Sequence, residues 1–258
     1  MTVSELSTSA QNYLKVIWSL TEWTDEPVTP TLIAKQTGLK LSSVSDALRR
    51  LSAQGLLSHA RYGSVELTDT GRTHALAMVR RHRLIESFLV SVLGYSWDQV
   101  HDEAETLEHA VSDFMVERID AFLEHPTRDP HGDPIPAADG TMSVPDAAPL
   151  SETGAGGDVV VERISDEDPD LLKFFASHGI VVGAVLVVEE GAPFSGALAV
   201  RARSAAKKGG SKKHGHKGKN GKGKDAKNGP ARDREVLGEP VQLGREAASA
   251  LYVSVRGA

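Results

Sequence analysis

Apolar positions recur at helical spacing over residues 10–23, where Tyr13, Leu14, Ile17, Trp18 and Leu20 form one stripe behind the candidate caps Ser7 and Ser9. Pro27 and Pro30 interrupt the pattern. Residues 31–37 make a short helical segment stopped by Gly38, and a second helix, capped by Ser42, runs through Val44, Leu48 and Leu51 toward Gly55. Two short helices about a tight turn, followed by short strands at 56–61 and 65–68 around Gly63, predict a winged helix-turn-helix. A long helix then runs from Asp69 to Leu93, and another holds His101 to His109 and continues to Phe122. Prolines make 125–136 a loop, and the Ala, Pro, Gly and Asp of 137–157 describe a flexible linker. Beyond it, strands at 158–164, 184–189, 197–202, 240–243 and 251–255, with one short helix at 170–177, predict a small β-barrel of SH3-like type.

The expected fold is therefore α+β and multidomain. A winged helix-turn-helix domain covers 1–73 and a helical metal-binding and dimerisation domain covers 74–140. A linker at 141–157 leads to an SH3-like domain at 158–258, with a disordered Lys/Gly-rich insert at 204–228. Charge sharpens this division. The net charge is −6, yet thirteen Lys and Arg face two Asp between Arg201 and Arg234, which leaves the remainder strongly acidic. A DNA-binding chain that is acidic elsewhere needs its positive charge on one surface, or bound cations to neutralise its carboxylates. With no cysteine, disulfides, zinc-thiolate fingers and thiol nucleophiles are excluded. No run is long and apolar enough to span a membrane, and the start lacks the form of a signal peptide, so a cytoplasmic location is expected.

Two constellations carry chemistry. On the helix after the turn, the exposed Lys40, Ser42, Ser43, Ser45 and Asp46 would meet base edges and phosphates in the major groove of double-stranded DNA. Arg49 and Arg50 of that helix and the wing's Arg61 would meet phosphates. Further on, Glu105, Glu108 and His109 stand at i, i+3 and i+4 and project from one helix face, with His101 one turn earlier; His82 and Glu86 are likewise i, i+4. Oxygen and imidazole donors without thiolate suit Mn(II) or Fe(II). The same spacing also describes a plain solvated helix face, and helix-turn-helix units also serve as packing modules.

Read together, these pieces resemble the diphtheria-toxin-repressor and manganese-transport-regulator family of metal-dependent transcriptional repressors. The resemblance runs through Asn12-Tyr13-Leu14, the helix-turn-helix, Leu67-Thr68-Asp69-Thr70-Gly71-Arg72 and Arg81-His82-Arg83-Leu84-Ile85-Glu86. It continues in Val100-His101-Asp102-Glu103-Ala104-Glu105 with Glu108-His109, and in Pro130-His131-Gly132-Asp133-Pro134-Ile135-Pro136. The resemblance implies a homodimer, no enzymatic activity and two ions per subunit. Glu105, Glu108 and His109 with Asn12 would form the regulatory site, and His82, Glu86 and His101 the neighbouring one. Iron-sensing members carry cysteine at the position of Glu105 and methionine at that of Asn12; manganese sensors carry glutamate and aspartate. Where the family's SH3-like domain can lend a Glu and a Gln, this chain has Arg163, which cannot ligate a cation, and Asp166. The expected function is a manganese-activated repressor that binds operators of manganese-transport genes. The rival readings are an iron(II)-responsive repressor, a metallohydrolase, and a DNA-binding protein indifferent to metal.

Overall fold

The computed structural model describes residues 2–23, 26–59, 63–204 and 236–256. Arg61 and residues 205–228 of the Lys/Gly-rich insert lie outside them. The chain divides into two compact units, one of residues 2–146 with the returning segment 165–172, the other of the remaining residues.

In the first unit, helix α1 (Thr8–Glu22) is capped by Ser7, whose side chain accepts from the Ala10 amide. Helix α2 (Pro30–Thr37) starts with proline at its first position, where the missing N–H costs nothing, and Thr29 caps it. Gly38 closes α2 at φ 67°, the left-handed conformation that the tight turn requires. Helix α3 (Leu41–Ala53) begins two residues earlier than expected, with Lys40 at the cap position, so Ser42 is a helical residue and not the cap. Strands β1 (Leu57–His59) and β2 (Val65–Leu67) pair antiparallel as the wing, with Leu57 opposite Leu67.

Helix α4 (Asp69–Ser91) follows, capped by Thr68. Gly71 in its first turn leaves no room for a side chain, because an added Cβ would lie 1.9 Å from the Leu56 carbonyl oxygen. The single helix expected over 101–122 is two, α5 (Val100–Leu107) and α6 (Asp113–Phe122). Ser112 accepts from the Met115 amide and so caps a new helix where the periodicity alone ran on. One core holds Leu14, Ile17, Ile33, Val44, Leu48, Ala75 and Val79; another holds Leu84, Ile85, Leu89, Val100, Ala104 and Ile119. Helix α4 contributes to both, and the stretch between its two contributions carries Arg80, Arg81, His82 and Arg83, all buried.

The second unit begins earlier than its strand pattern suggested. Strand β3 (Ala148–Pro149) pairs with the last strand, β9 (Leu251–Val255), and a short helix α7 (Leu150–Thr153) buries Leu150, so the proposed linker at 141–157 is in its second half part of the domain. The composition concealed this because one fully buried leucine anchors a segment otherwise poor in apolar residues. Strand β4 (Gly157–Ile164) and helix α8 (Pro169–Ser177) come next, then β5 (Val185–Glu190) and β6 (Leu198–Ser204). Strands β7 (Val236–Leu237) and β8 (Val241–Leu243), helix α9 (Arg245–Ser249) and β9 (Leu251–Val255) complete it. The sheet is antiparallel in the order β3-β9-β4-β5-β6-β7, with β8 also on β6. Alternation puts Val159, Val161, Leu186, Val188, Leu251 and Val253 inside, as a small β-barrel demands.

Candidate metal centre and DNA-facing helix

Helices α1, α4 and α5 bring a dense set of donors together. His82 on α4 has Nδ1 2.6 Å from Glu108 Oε2 and Nε2 3.1 Å from Glu86 Oε1. With a carboxylate at each nitrogen both carry protons. Burial opposes the charge, but the Glu86 carboxylate and the hydrogen bonds to Glu108 and Glu86 overcome it, lifting the imidazole to about 9. Glu108 is wholly buried; burial disfavours its charge, and the bond and charge of His82, with Lys15, hold its carboxyl below the usual range. The same balance holds Glu86 ionised, through the charge of His82 and hydrogen bonds from His101 and His82. His101 Nδ1 lies 2.9 Å from Asp166 Oδ2 and 3.5 Å from Glu86 Oε1, and those two carboxylates raise its imidazole to about 11.

Three groups of donor atoms each lie within 4.8 Å of one another: His82, Glu105 and Glu108; His82, Glu86 and His101; and Glu86, His131 and Asp166. The second brings together the three residues that the sequence grouped as the neighbouring site. The first contains two of the expected regulatory residues but adds His82. His109 stands at its edge, Nε2 3.4 Å from Glu108 Oε1. Asp166 joins through its contact with His101, whereas Arg163 stacks over the Tyr252 ring, 4.8 Å from its centroid.

The sequence reading missed three contributors. His131 is fully buried, with Nε2 2.7 Å from the Trp97 carbonyl and Nδ1 3.9 Å from Glu86 Oε2. Its position in a proline-rich motif loop, turned inward where Asp129 accepts from the His131 and Asp133 amides, was the available signal. Gln11 is only 4% exposed and donates from Nε2 to the carbonyls of Val3 (2.8 Å) and Leu6 (3.2 Å). That fixes its amide, so Oε1, 2.7 Å from His109 Nδ1, accepts a hydrogen bond from that nitrogen, which keeps the proton and leaves Nε2 with the lone pair. Lys15 is 8% exposed and donates to Glu105 Oε1 (2.5 Å) and Glu108 Oε1 (2.6 Å). Between Gln11 and Lys15 stands Asn12, whose Oδ1 is buried and has no hydrogen-bond partner among the described residues. A buried acceptor without a donor costs free energy unless something binds it, so the residues present fit a cation held by oxygen and nitrogen donors.

Arginines of α4 fasten this assembly. Arg81 donates to the Glu108 carbonyl at 3.1 Å, to Ser4 Oγ at 3.0 Å and to Asp113. Arg83 makes a two-pronged pair with Glu22 at 2.8 and 2.5 Å and donates to the Pro134 carbonyl.

On α3, Val44, Ala47, Leu48 and Leu51 face the core while Lys40, Ser42, Ser43, Ser45, Asp46, Arg49 and Arg50 are exposed. Arg49 is paired with Asp46 at 2.9 Å and the Ser45 hydroxyl donates to the Leu41 carbonyl, which leaves Ser42, Ser43 and Arg50 the more available. In the helical domain, Val92, Leu93, Tyr95, Phe114, Met115 and Phe122 are exposed. Among the described residues no helix is long and apolar enough to cross a membrane.

Comparison with known proteins agrees along the chain. Residues 5–65 match the iron dependent repressor N-terminal DNA binding domain, residues 68–137 the iron dependent repressor metal binding and dimerisation domain, and residues 148–206 the FeoA domain. The iron-dependent repressor IdeR of Mycobacterium leprae is 35% identical over 202 residues, 72% of this chain and 86% of its own length. The diphtheria toxin repressor of Corynebacterium diphtheriae is 37% identical over 139 residues, 53% of this chain and 60% of its own. Among solved structures, a manganese-dependent transcriptional repressor in complex with manganese is 44% identical, covers 96% of this chain and 100% of its own, and superposes with a TM-score of 0.80. The manganese regulator SloR is 30% identical with a TM-score of 0.70, covering 97% of this chain and 100% of its own. The chain belongs to the diphtheria-toxin-repressor and manganese-transport-regulator family and is a homodimeric, metal-dependent transcriptional repressor that binds operator DNA and has no enzymatic role.

Proposed function

We propose that this repressor is activated by manganese and binds the operators of manganese-homeostasis genes in the cytoplasm. The observation that carries the reading is the donor set: His82, Glu105 and Glu108 converge, Asn12 on α1 carries a buried oxygen without a partner among the described residues, and the chain has no sulfur ligand from cysteine to offer. Carboxylate, amide and imidazole donors suit Mn(II) better than the later, softer first-row ions. The 44% identical neighbour named for manganese dependence supports the same choice against the iron-dependent relatives.

Asn12, Glu105, Glu108 and His109 would hold one ion, with His82 at its border. Glu86, His101, His131 and Asp166 would hold a second, which gives two per subunit. When bound, the ion would supply positive charge to the carboxylates that Lys15, His82 and His101 otherwise neutralise. The residues do the rest. Gln11 presents His109 in the tautomer that can donate its lone pair, and Asn12 ties α1, part of the DNA-binding core, to the helix that bears Glu105 and Glu108. That tie favours one placement of α3 in each subunit of the dimer, a population shift toward the arrangement that reaches successive major grooves. Ser42 and Ser43 would read base edges, with Lys40, Arg49, Arg50 and Arg61 on phosphates.

Operator binding measured against Mn(II), Fe(II), Co(II), Zn(II) and no metal, under anaerobic conditions, tests the reading. Activation by Mn(II) at the lowest free concentration supports it; equal binding without metal, or preferential activation by Fe(II), overturns it. Exchange of Glu105 for cysteine should shift the ranking toward Fe(II) or Co(II).

A further inference from the structure

We propose that Lys15 is a tethered counter-cation that occupies the carboxylate cluster of the metal-free repressor, so that metal binding is an exchange of this ammonium for the ion. The inference rests on the metal-site reading above. Lysine is almost never buried unless paired, because a desolvated ammonium is costly. Lys15 is 8% exposed, and its Nζ is held at 2.5 and 2.6 Å by two different carboxylates. Those are Glu105 and Glu108 of the first donor group, where His82 Nδ1 lies 3.9 Å from the same Glu105 oxygen and 2.6 Å from the other oxygen of Glu108. An ion bound to the same oxygens would sit beside Nζ at a separation where two like charges repel strongly. Both cannot stay.

The helix that carries Lys15 makes the exchange specific. Asn12 and Lys15 are i, i+3 on α1 and so share a face. In this structure α1 is tied to α5 through the Lys15 ammonium, while the Asn12 oxygen has no hydrogen-bond partner among the described residues. Release of the long, flexible lysine stem frees the two carboxylates and lets Asn12 take over the tie. The same two helices are linked in both states, through residues one turn apart. Lys15 thereby acts as an internal competitor: apparent affinity for metal is lowered by the fraction of molecules in which the ammonium holds the site, which sets the metal concentration at which repression begins.

The test is a titration of Mn(II) into the full-length metal-free dimer at fixed pH and ionic strength, with free Mn(II) followed by its electron paramagnetic resonance signal. Lys15→Met keeps the length of the stem and removes the charge. It should bind Mn(II) at least about tenfold more tightly than wild type, as expected on removal of a competing state. Lys15→Arg, which keeps a cation, should bind no more tightly than wild type. Melting of the metal-free proteins gives a second readout: Lys15→Met should melt lower than wild type without metal, and the gain on adding Mn(II) should be larger. If Lys15→Met does not fold without metal, Lys15→Gln, neutral but polar, is compared in the same way. Unchanged or weaker Mn(II) binding in the neutral variant overturns the competitor role while leaving the metal site intact. Wild-type protein that binds no Mn(II) at all overturns the site reading and this inference together.

Discussion

Removal of the Gln11 side chain, which touches no proposed metal-bound atom, should cost metal affinity through the histidine it orients. Its Oε1 lies 2.7 Å from His109 Nδ1, and the two carbonyls that hold its Nε2 leave it no other orientation. In Gln11→Ala, His109 loses the acceptor that keeps the proton on Nδ1, so the neutral ring divides between two tautomers and rotates more freely. Loss of such an orienting partner lowers metal affinity by about 10- to 100-fold, equivalent to roughly 1.4–2.7 kcal/mol. The Val3 and Leu6 carbonyls lose their donor as well, at about 1 kcal/mol each, which destabilises the N-terminal turn in the presence or absence of metal. Gln11→Glu separates the effects: it still offers an oxygen to His109 but sets a second oxygen against the Val3 and Leu6 carbonyls. The assay is Mn(II) titration of each variant beside a metal-free melt, with the His109 tautomer read from its ring nitrogen shifts. Gln11→Ala binding Mn(II) within twofold of wild type would refute the argument that the tautomer is set from α1.

Gly71→Ala should destabilise the protein by about 2–4 kcal/mol in denaturant melts, since its Cβ would lie 1.9 Å from the Leu56 carbonyl, a clash with backbone that no rotamer relieves; a melt equal to wild type would contradict it. In chelator, stability should be highest in mildly acidic solution and fall as the pH rises toward 9. The raised pKa of His82, about 9 against 6.5, contributes fully below 6.5 and is lost as pH climbs through 9; the depressed Glu86 adds to stability above its ordinary range and loses that only in strong acid. Melting temperatures of the metal-free protein from pH 5 to 10 check this, and a rise across pH 7–9 would contradict it. Ser43→Ala should leave stability unchanged, because Ser43 is exposed, yet weaken cognate operator binding by about 1–3 kcal/mol, while Arg50→Ala should weaken cognate and scrambled DNA alike. Binding curves on both DNAs that show the same pattern for the two variants would remove this placement of α3.

Most of the helices and strands could be read from period alone, because an apolar stripe at 3.6 or 2 residues is imposed by burial on one side. The breaks were harder. Period carries no information on where one helix stops and the next starts, and the split between α5 and α6 turned on a single serine cap. Glu105, Glu108, His82, Glu86 and His101 were found because donors at i, i+3 and i+4 mark a common face; His131, Gln11 and Lys15 were not, for different reasons. His131 reaches the site by the folding of a loop, which no periodicity describes. Gln11 and Lys15 lie on the polar side of α1, and a sequence does not say whether a polar stripe faces water or another helix. Here it faces carboxylates.

The two ends of α1 are held by chemistry of different kinds. At Glu22 the grip is an arginine fork, charged at every physiological pH and indifferent to metal. At Gln11, Asn12 and Lys15 it is a set of contacts that an ion would rewrite. A rod anchored at one end and adjustable at the other can only swing. From Gln11 to Glu22 the helix rises about 16 Å, so a tilt of about 5° about the Glu22 end carries the other by roughly 1.4 Å. Because Leu14, Ile17 and Trp18 are embedded in the same core as Val44 and Leu48 of α3, that swing is transmitted to the DNA-facing helix as a rigid rotation. The fulcrum at Glu22 thus fixes the direction in which the reading head turns.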